Sequence, residues 1–209
     1  MRRTQVGTQR TGNFAIRRPC ISDHDGIREF LTGLSLRARY LRFFSGAPPT
    51  SGAMLRILAG GSADTDVLVA TGDGVIIGHA MAGDRTGPGG TRTEIGVVVA
   101  DAYRGQGVGS ALVRQLVTRA QRRGATALVM EVLAENRQVL TMIADHWPVA
   151  AQERSGAYIT ISARLQPEVP SRPDAGSRPD SGAWPDRGSW LPDFGKETVA
   201  AGIARRTAR

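Results

Sequence analysis

A glycine-rich stretch, Arg104-Gly-Gln-Gly-Val-Gly109, lies between two segments of different periodicity. The preceding run, Glu94-Ile-Gly-Val-Val-Val99, is apolar and β-branched, which is typical of a buried strand. Residues 110–120 repeat leucine and valine at helical spacing. A glycine turn that opens a helix presents backbone N–H groups at the positive end of the helix dipole, and its glycines accept positive φ. The stretch therefore predicts a strand–turn–helix unit that holds phosphate.

Other glycine-rich motifs compete for the same stretch. A dinucleotide fingerprint requires Gly-x-Gly-x-x-Gly and an acid about 20 residues later. Here Gly105, Gly107 and Gly109 have a different spacing, although Glu131 lies at about the distance expected of the acid. The chain has no Gly-Lys-Ser or Gly-Lys-Thr, which excludes a nucleoside-triphosphate P-loop. An ordinary glycine-rich β–α turn without a ligand remains an alternative.

The composition suits one globular domain of about 150 residues with extensions. Of the 209 residues 41% are hydrophobic, but no apolar run approaches the ~20 residues of a membrane span. The net charge of +8 comes from arginine, because Lys196 is the only lysine. The basic N-terminus is followed by no apolar segment, which argues against a secretory signal. We therefore expect a cytoplasmic protein that does not enter a membrane, and no motif indicates nucleic-acid binding.

Cysteine and histidine point to no metal site. Cys20 is the single cysteine, so it cannot form an internal disulfide, and we expect it to be a small core residue at a strand end. His79 and His146 are isolated in sequence, and we interpret them as structural or exposed. The three histidines and the cysteine lack metal-ligand spacing.

Periodicity predicts strands and helices in alternation between residues 14 and 164. The expected strands are 14–20, 66–71, 74–82, 94–99, 125–133 and 157–163. The expected helices are 23–33, 35–44, 53–59, 110–120 and 136–145, and residues 84–90 are expected to form a loop. This order indicates an α/β (α+β) fold.

The stretch at residues 104–109 resembles the acetyl-CoA loop of the GCN5-related N-acetyltransferase (GNAT) superfamily, matched at Arg104, Gly107 and Gly109. The order of elements is similar to the fold of that superfamily. The resemblance implies a mixed, mostly antiparallel sheet that is flanked by helices and splayed at the cofactor-binding strand. Residues 35–45, ending in Arg39-Tyr-Leu-Arg-Phe-Phe-Ser45, resemble the first helices of actinobacterial protein-lysine acetyltransferases.

The resemblance also implies the residues that bind acetyl-CoA, the expected co-substrate. Val97, Val98 and Val99 match the splayed strand, whose backbone pairs with the pantetheine amides. Asn136, in Val132-Leu-Ala-Glu-Asn136, matches an asparagine that contacts the cofactor. The pyrophosphate is expected on the loop residues, which are Arg104, Gly105, Gln106, Gly107, Val108 and Gly109.

Glu94 is the candidate general base for deprotonating the acceptor amine. It matches the catalytic glutamate of the lysine-acetyltransferase relatives, and strand alternation places Glu94, Gly96 and Val98 on one face. Burial on that face raises a carboxyl pKa toward the range useful for a base. The alternative is a structural carboxylate that pairs with Arg92 or Arg85.

The general acid of the superfamily is usually a tyrosine on the helix after Asn136. Residues 139–147 contain no tyrosine, and Trp147-Pro148 replaces the usual Gly-Phe. Protonation of the thiolate is therefore left to water, to Thr141 or to no group at all. This departure keeps a second function open, in which a degenerate domain binds acyl-CoA as a sensor or partner module.

The sequence leads us to expect an acetyltransferase whose acceptor is a protein lysine or a small amine, acting as a monomer or homodimer. Its segments are a disordered basic leader over residues 1–12, the acetyltransferase domain over 13–165, and a low-complexity tail over 166–209. The tail carries an imperfect Pro-Asp-x-Gly repeat, which favours isolated turns over a packed core.

Removing the chain after Leu165 should leave the melting temperature and the affinity for acetyl-CoA nearly unchanged. The removed segment has few aliphatic residues, so its burial cannot offset the entropy of ordering it. Thermal denaturation and calorimetry on the full and shortened chains measure the two quantities. A large drop in either one would show that the tail packs on the domain.

Overall fold

The computed structural model describes residues 9–11, 13–45, 47, 51–60, 62 and 65–166. Its strands are β1 (Gln9–Thr11), β2 (Phe14–Arg17), β3 (Thr65–Gly72), β4 (Val75–Gly87), β5 (Gly90–Val99), β6 (Ala125–Leu133), β7 (Ala151–Ser155) and β8 (Tyr158–Arg164). They form one sheet in the order β1-β2-β3-β4-β5-β6-β8-β7, in which β5 and β6 are parallel and the other neighbours antiparallel. The helices are α1 (His24–Gly33), α2 (Leu36–Phe43), α3 (Gly52–Leu58), α4 (Val108–Arg122) and α5 (Arg137–His146).

Alternation along the strands divides the interior into two cores. On β5, Ile95, Val97 and Val99 pack with α4 and α5, whereas Val98 packs with the residues of α1, α2 and α3. We name these two sides of the sheet the α4 face and the α2 face. The predicted fold class is confirmed, since a mixed and mostly antiparallel sheet carries helices on both faces.

The hairpin between β4 and β5 is longer than expected. The prediction of a loop over residues 84–90 is wrong, because the strands continue to a tight turn between Gly87 and Gly90. Cross-strand contacts extend the ladder, including a hydrogen bond of 3.1 Å between the hydroxyl groups of Thr86 and Thr91. Gly90 has a φ of 97°, which the turn requires.

The start of the folded unit also differs from the expectation. The strand predicted over residues 14–20 ends at Arg17, and Cys20 is exposed, so the expectation that Cys20 is a core residue is wrong. Asp23 precedes α1, but its carboxylate accepts hydrogen bonds from the Arg17 guanidinium at 2.6 and 2.7 Å and from the Cys20 N–H at 2.7 Å. Asp23 thus holds the connection between β2 and α1.

Two short strands lie outside the predicted elements. β1 comes from the segment expected to be a leader and pairs with β2, and β7 is exposed along its whole length at the other edge of the sheet. Residues 1–8 and residues 167–209 lie outside the described part of the chain, so the leader and the tail stay predictions there. Among the described residues, no helix is both long and apolar enough to cross a bilayer.

A network of charged side chains ties the end of α4 to the sheet. Asp66 on β3 is buried and accepts hydrogen bonds from Arg119 at 2.6 and 2.8 Å and from Arg123 at 2.6 Å. Arg123 also donates to Asp84, which accepts a further bond of 2.7 Å from Thr93. Burial by itself raises the pKa of Asp66, but the hydrogen bond from Arg119 and the arginine charges outweigh it and hold that pKa below its ordinary value.

Asp66→Asn should lower the free energy of unfolding by about 1–3 kcal/mol at pH 7, because the arginines lose a charged, buried acceptor. The folded-state pKa of Asp66 is depressed, so its contribution is present above the unfolded value of 3.8 and disappears as the pH falls through the folded value. The difference between variant and wild type in urea unfolding should therefore shrink below about pH 4. Asp25→Asn removes an exposed partner of Arg28 and should change little at either pH. An Asp66→Asn variant as stable as wild type at pH 7 would contradict this account.

Candidate active site

The parallel pair of strands opens toward its C-terminal end. β5 and β6 are paired from Thr91 and Ala125 to Glu94 and Val129. Beyond that point β5 continues against β4 to Val99, and β6 continues against β8 to Leu133. The splay that the resemblance implied therefore begins at Glu94. An extended ligand with amide groups fits such an opening, because it can pair with the strand backbone.

The glycine-rich loop lies at the mouth of this opening. Gly105 and Gly107 have φ values of 75° and 78°, and Gly107 is the N-cap of α4. A Cβ built on Gly107 would meet no atom of the described residues within 4 Å, so within that part of the chain glycine is required by backbone conformation and not by crowding. The positive end of α4 lies at this turn, which is the environment that a diphosphate needs.

Two side chains of the loop form contacts with the residues just before it. Arg104 forms an ion pair of 2.8 Å with Asp101, and its side chain is only 17% exposed. Gln106 donates a hydrogen bond of 3.1 Å to the carbonyl of Ala102. Arg104 and Gln106, expected to bind the cofactor, are thus placed to hold the loop in shape.

The first turn of α4 is fixed against the sheet by close contact. Val108 and Gly109 are buried in this turn. A Cβ on Gly78 of β4 would lie 3.2 Å from the Val108 side chain and 3.0 Å from that of Leu112. The strand and the helix therefore approach more closely than a larger residue at Gly78 allows, which sets the position of the loop.

The other residues expected at the cofactor border the opening. Val97, Val98 and Val99 form the end of β5, and their side chains belong to the two cores, which leaves only their backbone for a ligand. Asn136 is 1% exposed and caps α5 by accepting a hydrogen bond of 3.3 Å from the Val139 N–H. Its amide thus orients the helix at the far side of the opening.

Glu94, Gly96 and Val98 share the α2 face, as alternation predicted, and Glu94 is half-buried there. Arg42 of α2, which the sequence analysis missed, approaches these three residues from above the α2 face. Arg42 is 1% exposed, and a Cβ on Gly96 would lie 2.7 Å from its Cζ and Nη2 atoms. Burial lowers the pKa of Arg42 to about 10, and the charge of Glu94 opposes that fall.

The alternative for Glu94 named Arg92 or Arg85 as its partner. Both arginines are exposed, and the Nη2 atom of Arg92 donates a hydrogen bond of 3.4 Å to the Ser162 hydroxyl. The buried guanidinium of Arg42 also interacts electrostatically with Glu94, so the alternative partners Arg92 and Arg85 stay a prediction.

Beyond Glu94, the α2 face is an accessible polar surface. The strand registers put Glu131 of β6 opposite Thr160 of β8, and Thr160 opposite Glu153 of β7. Glu131 and Thr160 are half-buried and Glu153 is exposed. At the far end of this surface, the rings of Phe44 and Tyr158 meet edge to face with centroids 4.6 Å apart. Neither aromatic residue was singled out in the sequence, since they are 114 positions apart and only the fold unites them.

Histidines and metal ligands take no visible part in the site. His79 is buried on the α2 face, where its Nε2 atom lies 2.8 Å from the Leu58 carbonyl oxygen, and burial lowers its pKa to about 4. The imidazole is therefore neutral at pH 7. Among the described residues, no three His, Cys, Asp or Glu side chains are grouped so that they could hold a metal ion.

A family model supports the same conclusion as the geometry. Residues 36–143 match the model described as the acetyltransferase (GNAT) family, and they include α2, the splayed strand, the loop and most of α5. The chain belongs to the GNAT family of acetyltransferases. It is thus an acyltransferase of the GNAT fold.

Solved structures of other GNAT proteins resemble this one. The GNAT domain of S. lividans PAT is 26% identical, with a TM-score of 0.64 over 73% of this chain and 90% of that chain. YncA, a putative acetyltransferase from Salmonella typhimurium solved with its cofactor acetyl-CoA, is 23% identical, with a TM-score of 0.53 over 78% of this chain and 99% of that chain. The ribosomal-protein-alanine N-acetyltransferase from Brucella melitensis is 20% identical, with a TM-score of 0.57 over 72% of this chain and 99% of that chain. No curated protein matches the chain significantly.

Proposed function

We propose that this GNAT protein transfers the acetyl group of acetyl-CoA to a primary amine, with a protein lysine as the favoured acceptor. The observation that carries the proposal is the position of Glu94. The half-buried carboxylate lies where β5 and β6 separate, on the strand whose end leads into the glycine-rich loop. The glycine-rich loop, where we propose that phosphate binds, and the candidate base Glu94 thus lie along the same opening in the sheet.

Acetyl-CoA fits the residues that border this opening. Its diphosphate matches the first turn of α4, where Gly107 caps the positive end of the helix with a positive φ. Its pantetheine amides match the backbone of residues 97–99 beyond the end of the β5–β6 pairing. When bound, acetyl-CoA supplies a thioester: the acceptor nitrogen bonds to the carbonyl carbon, the C–S bond breaks, and the thiolate keeps the electron pair.

The chain's own groups then handle the acceptor proton. An amine is mostly protonated at neutral pH and attacks only after losing a proton. The Glu94 carboxylate accepts this proton, directly or through one water. α5 carries no tyrosine, so we assign protonation of the leaving thiolate to solvent.

The accessible α2 face favours a protein over a small molecule as acceptor. On the face of β6, β8 and β7, the carboxylates of Glu131 and Glu153 and the hydroxyl of Thr160 suit a cationic side chain presented on a larger surface. The likeness of residues 35–45 to protein-lysine acetyltransferases supports the same acceptor.

The exposed thiol of Cys20 suits a reducing compartment, and we propose that the protein acts in the cytoplasm.

Gly107→Asp should weaken acetyl-CoA binding by an order of magnitude or more, because it puts a negative charge where the diphosphate is expected. Gly107→Ala is the matched control: it imposes the same backbone strain at a φ of 78° without the charge. Calorimetry with acetyl-CoA on both folded variants measures the difference. Equal affinities for the Asp and Ala variants would show that the diphosphate does not lie on this loop.

Glu94→Gln should reduce turnover about 10²–10⁴-fold while leaving acetyl-CoA affinity nearly unchanged, because it keeps the shape and removes the base. The assay follows release of coenzyme A with a lysine-rich protein mixture and with a panel of small amines. Glu29→Gln, at an exposed position of α1 outside the site, is the control for loss of a negative charge. Turnover within a few-fold of wild type across neutral pH would assign Glu94 a structural role and favour the acyl-CoA sensor. Activity with small amines alone would replace the protein acceptor by a small one.

A further inference from the structure

Arg42 is an unusual residue to find in a core. Its side chain is among the largest fully buried ones of the described residues. Arg42 belongs to helix α2, and its side chain packs between that helix and the sheet. Within the described part of the chain, its Nε and Nη1 atoms have no hydrogen-bond partner. Placing a guanidinium there is costly unless an opposite charge compensates it. Packing alone therefore does not explain why an arginine occupies this buried position.

Gly96 shows that the place of the guanidinium is specific. A Cβ at Gly96 would lie 2.7 Å from Cζ and Nη2 and 2.9 Å from Nη1 of Arg42, distances at which something must move. The guanidinium thus lies directly on the backbone of β5 at residue 96. Glu94 is two residues earlier on the same face of that strand, about 7 Å along it.

Other charged groups also face this region. From the neighbouring strands the α2 face presents Arg85 on β4, Arg92 on β5 and Glu131 on β6, and α2 contributes the half-buried Arg39. Arg85 and Arg92 are exposed, so solvent and salt screen their charges. Burial and, to a smaller extent, the charge of Arg42 lower the pKa of His79 to about 4, so His79 carries no charge at neutral pH. Arg42 is therefore the fully buried cation among these groups, and it interacts electrostatically with Glu94.

We propose that Arg42 is a positioning residue that keeps Glu94 ionised inside the sheet, so that a shielded carboxylate can still accept the proton of the acceptor amine. The proposal rests on the proposed function, in which Glu94 is the base. Burial and the neighbouring guanidinium have opposite effects on Glu94. Burial favours the neutral acid, which cannot accept a proton, and the guanidinium favours the carboxylate, which can.

The protonation state of Glu94 can be followed without any acceptor. In full-length protein with ¹³C-labelled glutamate, the carboxyl resonance that Glu94→Gln removes belongs to Glu94, and its pH titration gives the pKa. Arg42→Met should raise that pKa by about one pH unit or more, since an opposite charge nearby typically lowers it by 1–3. Arg42→Lys should restore most of the wild-type value. Arg56→Met, which removes the same charge from an exposed site on α3, is the control and should leave the pKa in place.

Gly96→Ala tests the same contact with the charge retained. The new methyl group must displace the guanidinium, so the pKa of Glu94 should rise in the same direction but by less than in Arg42→Met. This variant decides the question if thermal denaturation shows that Arg42→Met does not fold. The proposal is overturned if the pKa of Glu94 equals the wild-type value in both folded variants, Arg42→Met and Gly96→Ala. If Arg42→Met is unfolded, a wild-type pKa of Glu94 in Gly96→Ala is enough to overturn it.

Catalysis supplies the second readout. The acidic limb of the pH profile of kcat/KM, measured with the lysine-rich mixture, should move to higher pH in Arg42→Met by the same interval as the titration. A residue that acts only through packing would lower the rate at every pH without moving the limb. If Glu94→Gln stays active, the base role of Glu94 fails, and the titration still decides whether Arg42 controls its charge. The two failures are thereby distinguishable.

Discussion

The site depends on the divergence of one pair of strands. β5 and β6 are the parallel neighbours of the sheet, and they are paired only over its first part, up to Glu94 and Val129. Parallel neighbours need a crossover connection, and here that connection is the glycine-rich loop followed by α4. The first turn of α4, where we propose that the diphosphate of acetyl-CoA binds, is therefore also the start of the crossover. Packing of α4 against the sheet, at Gly78 and through the arginines around Asp66, then fixes where the loop lies.

The electrostatics of the site differ from one face of the sheet to the other. On the α4 face, charges are paired at short range, as in the bonds from Arg119 and Arg123 to Asp66, and they join helix to sheet. On the α2 face, Arg42 is buried next to Glu94 in a region that also borders open polar surface. The first arrangement stabilises the fold. The second places a carboxylate in a setting where its protonation state depends on its neighbours.

The sequence could predict the parts of the fold that repeat a local rule. The loop, α4, β5 and the shared face of Glu94, Gly96 and Val98 all follow from periodicity and glycine placement. The extension of the β4–β5 hairpin did not, because residues 84–90 are rich in glycine and their ladder depends on cross-strand contacts. β7 was missed because each of its residues is exposed and shows no apolar alternation. Arg42 lies in an arginine-rich helix, and charge alone predicts that it points to solvent. The signal that could have revealed it is Gly96, a glycine inside a strand, which often marks a close approach.

Phe44 has a consequence for how the site holds together. It adopts the left-handed conformation, with a φ of 54°, which is unfavourable for a residue with a side chain. That conformation ends α2 and directs the ring to Tyr158 at the start of β8. The aromatic contact crosses from the helix above β5 to a strand beyond β6, and so it spans the place where the sheet divides. The contact between Phe44 and Tyr158 therefore connects the two parts of the sheet on either side of the opening. Through this contact α2, which carries Arg42, packs against both parts.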